Sequence, residues 1–146
     1  MFIIIHIESG SMTTSIFVNL PVKNLSRSVD FFTKMGFTFN PQFTDENATC
    51  MVIGDTIFVM LLVEKFFKTF ISKEICDTTK DAEAIIALSF ESREKVDQMM
   101  IKAVEAGGIE PRKAQDNGWM YSRNFQDPDG HLWEVFWMDE SAMKKA

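Results

Sequence analysis

One supersecondary unit occurs twice along this chain, and that repetition limits the fold more than any other feature of the sequence. Residues 16–22 alternate as a strand, with Phe17, Asn19 and Pro21 on one face and Val18, Leu20 and Val22 on the other. A helix is expected from about Ser26 to Met35, with Asn24 as its cap, Leu25, Val29 and Phe32 as its apolar stripe and Gly36 as its end. Strands near 37–43, 48–53 and 56–63 follow, the last two joined tightly at Gly54-Asp55. The second half repeats the order. Residues 84–90 form a strand, with Ile85, Ala87 and Ser89 facing opposite to Ile86, Leu88 and Phe90. Ser92 caps a helix whose apolar face is Val96, Met99, Met100, Ala103 and Val104, and Gly107-Gly108 stops it. Strands near 109–114, 119–126 and 131–138 complete the unit. The expected fold class is α+β: two βαβββ modules forming a curved mixed β-sheet cup with external helices. A single helix covers only one face of its sheet, so the opposite face must meet something else, and a cup around a ligand is one solution.

The boundaries that follow are 12–63 for the first module, 64–83 for a charged connector, 84–138 for the second module and 139–146 for a tail. Lys65 to Lys73 is expected as a short amphipathic helix, and Asp77 to Asp81 as loop. Residues 1–11, ending in Ser9-Gly10-Ser11, read as an upstream extension or a cloning remnant. Hydrophobic residues make up 46% of the 146, which argues for a packed core rather than disorder. The net charge of −6 argues against nucleic acid or an anionic membrane surface as a partner. No apolar run is long enough to span a bilayer, and Met1 to Ile7 lacks the length and basic start of a secretory signal. A cytoplasmic location is therefore expected, with Cys50 and Cys76 as free thiols.

Asp127-Pro128-Asp129-Gly130 carries turn chemistry, with Pro fixing φ and Gly accepting φ > 0, and it feeds a strand. Leu132, Glu134 and Phe136 occupy one face of that strand; Trp133, Val135 and Trp137 occupy the other. A carboxylate beside Leu and Phe costs free energy without a partner, which makes Glu134 the best catalytic or binding candidate. Its plainer role is a side chain held by Arg123 or by backbone donors. Trp119, Tyr121, Arg123 and Phe125 alternate onto one face, expected either as a ligand wall with Arg123 as an anion receiver or as a packed or solvent-facing stripe. Asn19 either donates into the cup or bonds its own backbone. The Phe66, Phe67, Phe70, Ile71 cluster is a lid, a dimer contact or core.

The segment from Asn19 to Phe32, with Gly36-Phe37 after it, resembles the opening of the vicinal oxygen chelate superfamily: glyoxalase I, fosfomycin- and bleomycin-resistance proteins and extradiol dioxygenases. Ile86-Ala87-Leu88-Ser89-Phe90 and the Asp-Pro-Asp-Gly turn are similar to glyoxalase-like members, so the resemblance covers about residues 14–138. It implies metal ligands on the first and last strand of each half. Those positions fall on Phe17, at or near Met60, on Ile85 and on Glu134. Only Glu134 keeps a ligand-type side chain, since Phe and Ile offer no lone pair and a thioether suits hard divalent ions poorly.

The expected function is therefore that of a glyoxalase/bleomycin-resistance-like protein binding a small, partly apolar molecule, with no metal or other cofactor. The alternative is a lyase, isomerase or dioxygenase of this group with a shifted ligand set and a divalent metal. The expected binding residues are Phe17, Asn19, Met60, Ile85, Trp119, Tyr121, Arg123, Glu134 and Phe136. Family habit and the spare Phe residues of the connector imply a homodimer.

Overall fold

The structure, a computed structural model, describes residues 12–145, with backbone alone for 143–145. The extension expected at residues 1–11 lies outside the described residues. The first module runs β1 (Ile16–Val22), α1 (Leu25–Lys34), β2 (Thr38–Asn40), β3 (Ala48–Gly54) and β4 (Ile57–Val63). The connector holds α2 (Glu64–Phe67) and a 3-10 turn (Lys68–Phe70), shorter than the helix expected there. The second module runs β5 (Ile85–Ser89), α3 (Arg93–Glu105), β6 (Gln115–Asp116), β7 (Met120–Gln126) and β8 (Leu132–Met138), and α4 (Glu140–Lys145) follows.

Each module is a four-stranded mixed sheet, ordered β1-β4-β3-β2 and β5-β8-β7-β6. The first and last strands of each module pair in parallel, and the other pairs are antiparallel. The two sheets are hydrogen-bonded separately and form no closed barrel. Two expected strands shrink for identifiable reasons. The run 37–43 yields three strand residues, because Asn40 caps a 3-10 turn that Pro41 begins. The run 109–114 yields a single bridge between Ile109 and Gln126, and Pro111 follows without an N–H to continue it.

Both helices are capped as expected: Asn24 accepts from the Arg27 N–H, and Ser92 accepts from the Lys95 N–H. Their buried stripes differ from the expectation. In α1 it is Ser28, Phe31 and Phe32 that are buried, because this helix faces more than its own sheet. Phe31 lies 6.0 Å from the Phe125 ring and Phe32 lies 5.1 Å from Trp133, both in the second module. In α3, Val96, Met100 and Ala103 are buried, whereas Val104 is 49% exposed. One apolar core results, running from Leu20, Val59 and Leu61 through the two helices to Phe125, Trp133 and Val135. Phe125 and Trp133 stack within it, their ring planes 3° apart.

The turn before β8 fastens the modules together. Asp129 accepts from the Lys23 N–H at 2.9 Å, from Arg27 at 3.1 Å and from the Ser28 hydroxyl at 3.2 Å, all in the first module. Asp127 is buried and accepts from the backbone N–H groups of Asp129 and His131 and from the Trp133 indole at 3.0 Å. His131 is 2% exposed; its Nε2 lies 2.7 Å from the Pro21 carbonyl and its Nδ1 lies 2.8 Å from Glu83. Gly130 has φ +81°, and a Cβ there would stand 2.9 Å from the Thr78 hydroxyl, so glycine is required on two counts.

Both ring nitrogens of His131 face acceptors, so this geometry suits the imidazolium. Burial alone would lower the His131 pKa, but the Asp127 charge, the Pro21 carbonyl and Glu83 outweigh it and hold the value above the ordinary one. A base with a raised folded pKa contributes fully below its unfolded value, about 6.5, and loses that contribution as pH rises through the folded value. The unfolding free energy should therefore fall above about pH 6.5, as the unfolded His131 releases its proton first. His131→Gln should cost about 1–3 kcal/mol at pH 6 and flatten that alkaline decline, as read by urea melts across pH.

Candidate functional site

Strand pairing decides which side chains share a face. In the second module Glu134 is the register partner of Asn124 and Phe136 is the partner of Ser122, while Ile85 pairs with Leu132 across the parallel edge. These residues occupy the face without a helix. Arg123 instead pairs with Val135 and Tyr121 with Trp137, on the face that α3 covers. The placement of Tyr121 and Arg123 beside Glu134 is thus corrected by the register. The reason is Phe125, which shares their parity and is fully buried against Trp133.

Arg123 is committed on that covered face. Its Nε and Nη2 donate to the two Glu110 oxygens at 2.9 and 2.8 Å, and its Nη1 donates to Asp97 at 2.9 Å. The Tyr121 hydroxyl donates to the same Asp97 oxygen at 2.6 Å. The Tyr121 bond, chiefly, and the Arg123 bond with its charge hold Asp97 below the usual carboxylate range. Glu110 first, then Asp97, raise the already high Arg123 pKa further. Next to this network Arg93 forms a two-pronged bond to Asp116 at 2.6 and 2.9 Å, which draws Asp116 down to about 2. Its guanidinium lies over both Tyr121 and Trp137, 5.2 and 5.1 Å from their centroids. Trp119 precedes β7 and is half exposed, its carbonyl accepting from the Asp139 N–H.

Glu134 and Ile85 line one cavity of about 300 Å³, together with Leu132, Trp133, Asn124, Gln126, Gln115 and the loop residues Pro111, Arg112 and Lys113. Phe136 sits further along the same face, in a separate cleft with Ser89, Phe90 and Met138. Asn124 and Gln126 were missed by reading the sequence. Their signal was the polar alternation Ser122, Asn124, Gln126, which opposes the apolar parity of Phe125.

Phe17, Asn19 and Met60 lie on the helix-free face of the first sheet, where Asn19 pairs with Met60 and Phe17 with Phe58. The Phe17 and Phe58 rings stack with centroids 4.7 Å apart. Asn19 bonds its own backbone, donating to the Phe17 carbonyl at 3.3 Å. Of the four positions where the resemblance implies metal ligands, Phe17, Met60, Ile85 and Glu134, only Glu134 supplies oxygen. Among the described residues no three His, Cys, Asp or Glu side chains converge. That donor set falls short of the roughly three protein ligands a catalytic metal requires.

The free cysteines lie elsewhere: Cys50 is buried in β3, and Cys76 sits in the connector. Burial pushes the Cys50 thiol up. Burial, then the nearby Glu83, does the same for Cys76, so neither is an activated nucleophile. If Arg123 is an internal brace, Arg123→Ala should lower stability by about 1–2 kcal/mol in denaturant melts. It should leave the occupancy of the Glu134 cavity unchanged.

The family model for the bleomycin resistance protein-like N-terminal region matches residues 14–54. No curated protein matches in sequence. A hypothetical protein of S. aureus is 30% identical, with a TM-score of 0.72 over 89% of this chain and 98% of that one. A glyoxalase/bleomycin resistance protein/dioxygenase family enzyme of Burkholderia phytofirmans is 12% identical, with a TM-score of 0.71 over 84% of this chain and 96% of its own. A fosfomycin resistance protein of Mesorhizobium loti is 15% identical, with a TM-score of 0.64 over 92% and 98%. The matched opening segment and the shared fold agree: the chain is related to the hypothetical protein of S. aureus, its residues 14–54 match the bleomycin resistance protein-like N-terminal region, and it has the fold of the glyoxalase/bleomycin resistance/dioxygenase structures.

Proposed function

We propose that this protein binds a small, partly apolar molecule on its helix-free sheet faces, without a catalytic metal and without transforming the ligand. The observation that carries the reading is the side-chain set at the four ligand positions, Phe17, Met60, Ile85 and Glu134, with one oxygen donor among them. Apolar groups there favour a drier, more hydrophobic site than a hydrated ion needs. Glu134 then supplies polarity and orientation rather than metal ligation.

A second copy of the chain covers the remaining helix-free surface beside the cavity that the second module builds alone. Phe17 is 49% exposed and Ile85 is 64% exposed, each on a face that no helix covers. Such apolar surface on both modules favours pairing of one chain's first module with the other's second. Two free thiols and the lack, among the described residues, of any helix long and apolar enough to cross a membrane suit a cytoplasmic protein.

Metal analysis is the direct test. After incubation with Zn²⁺ or Ni²⁺ and removal of excess, the protein should retain far less than one ion per chain and show no thiohemiacetal isomerisation. Stoichiometric metal with turnover would instead establish the lyase, isomerase or dioxygenase alternative. Assembly is tested separately by sedimentation: the native chain should be a dimer at micromolar concentration. Phe17→Asp should shift it to monomer while leaving its circular-dichroism spectrum unchanged.

A further inference from the structure

Asn124 and Glu134 line the same cavity as cross-strand partners, and the side-chain acceptors of both lack a donor among the described residues. The Asn124 side-chain oxygen is buried and makes no hydrogen bond. Its register partner, Glu134, makes no hydrogen bond or ion pair among the described residues. A buried acceptor left unpaired costs free energy, and so does a carboxylate against apolar neighbours, here Leu132 and Ile85. Arg123, the expected counter-charge, is held by Glu110 and Asp97 on the opposite face. What the pair lacks is a group with several N–H bonds and a positive charge.

We infer that the cavity takes a protonated primary amine carried on a small apolar body, its N–H groups donating to Glu134 and, as the Asn124 side chain turns toward the cavity, to the Asn124 Oδ1 that the free protein keeps closed to solvent. This rests on the small-molecule reading above and supplies the chemical class of the ligand. A volume of about 300 Å³ lies at the low end for ligand sites, which favours a compact molecule. The apolar body lies against Ile85, Leu132 and the edge of Trp133, while the ammonium reaches the two acceptors. A quaternary ammonium keeps the charge but has no N–H to give Asn124. Arg112 and Lys113 line the same cavity from an exposed loop, so charge selectivity is a real contest between them and Glu134.

Three matched probes decide it by isothermal titration on the intact protein: 2-phenylethylamine, its N-trimethylated form and 3-phenylpropionate. The amine should bind at least about tenfold more tightly than the carboxylate and several-fold more tightly than the trimethylated form. Glu134→Gln should remove about tenfold of the amine affinity. Asn124→Leu should weaken the amine while raising the melting temperature, because it deletes an acceptor that the free protein leaves unpaired. A structural role alone would not move those two readings in opposite directions. Equal or tighter binding of 3-phenylpropionate overturns the amine assignment and leaves the small-molecule reading standing. No binding of any probe at millimolar concentration also overturns it, and metal analysis then decides the broader reading on its own.

Discussion

The turn from Asp127 to His131 is the interaction on which the arrangement of the two modules depends. It sits at the start of β8, yet its side chains reach β1, α1 and the connector. The two sheets share no backbone hydrogen bonds, so their relation rests on the common core and on this polar fastening. Hydrophobic contact fills space without dictating angle. A buried carboxylate, an imidazole and a second carboxylate with directed bonds do dictate it. Burial pushes the Asp127 carboxyl up, and the His131 charge and the indole and backbone donors oppose that rise. The turn is therefore a joint held together by mutual neutralisation, and removing one member strands the others.

That joint has a bearing on the candidate site. By drawing both helix-bearing faces into one core, it leaves Phe17 and Ile85 exposed on the remaining faces. The cavity beside Glu134 is built by the second module alone, from β5, β6, β7, β8 and the loop before β6. Fold and proposed site are thus separable: the covered faces carry the core, and the uncovered ones hold the side chains on which the proposed binding rests. Arg123 illustrates the division, since the same guanidinium would mean ligand binding on one face and bracing on the other.

The repeat, both helix caps and the parity of β1, β5 and β8 were legible because each depends on local chemistry. Asn24, Ser92 and Gly130 state their roles through side-chain reach or φ, and Trp133 and Val135 state theirs through alternation with Glu134. The parity of β7 was misread because its odd positions, Tyr121, Arg123 and Phe125, mix aromatic and charged residues and so suit either a ligand wall or a core edge. Only pairing with β8 resolves that ambiguity, and pairing is non-local. His131 shares the parity of Trp133 and Val135, on the strand face opposite Glu134. Its true partners, Pro21 and Glu83, lie far off in the chain and leave no trace in spacing. The α1 stripe shifted for a similar reason, because Phe31 answers to Phe125 across the module boundary.

The pairing order of the sheets also sets where backbone remains open. Each sheet ends on one side with a stub, three residues in β2 and two in β6, too short to template another strand. On the other side each ends with β1 or β5, seven and five residues long, whose outer hydrogen-bonding edge no strand among the described residues occupies. In β1 that edge is partly blunted by Pro21, which has no N–H to offer. The edge of β5 carries no such block along Ile-Ile-Ala-Leu-Ser. Cross-β association of partly unfolded chains should therefore begin at β5, which makes this short strand the aggregation-sensitive point of the molecule.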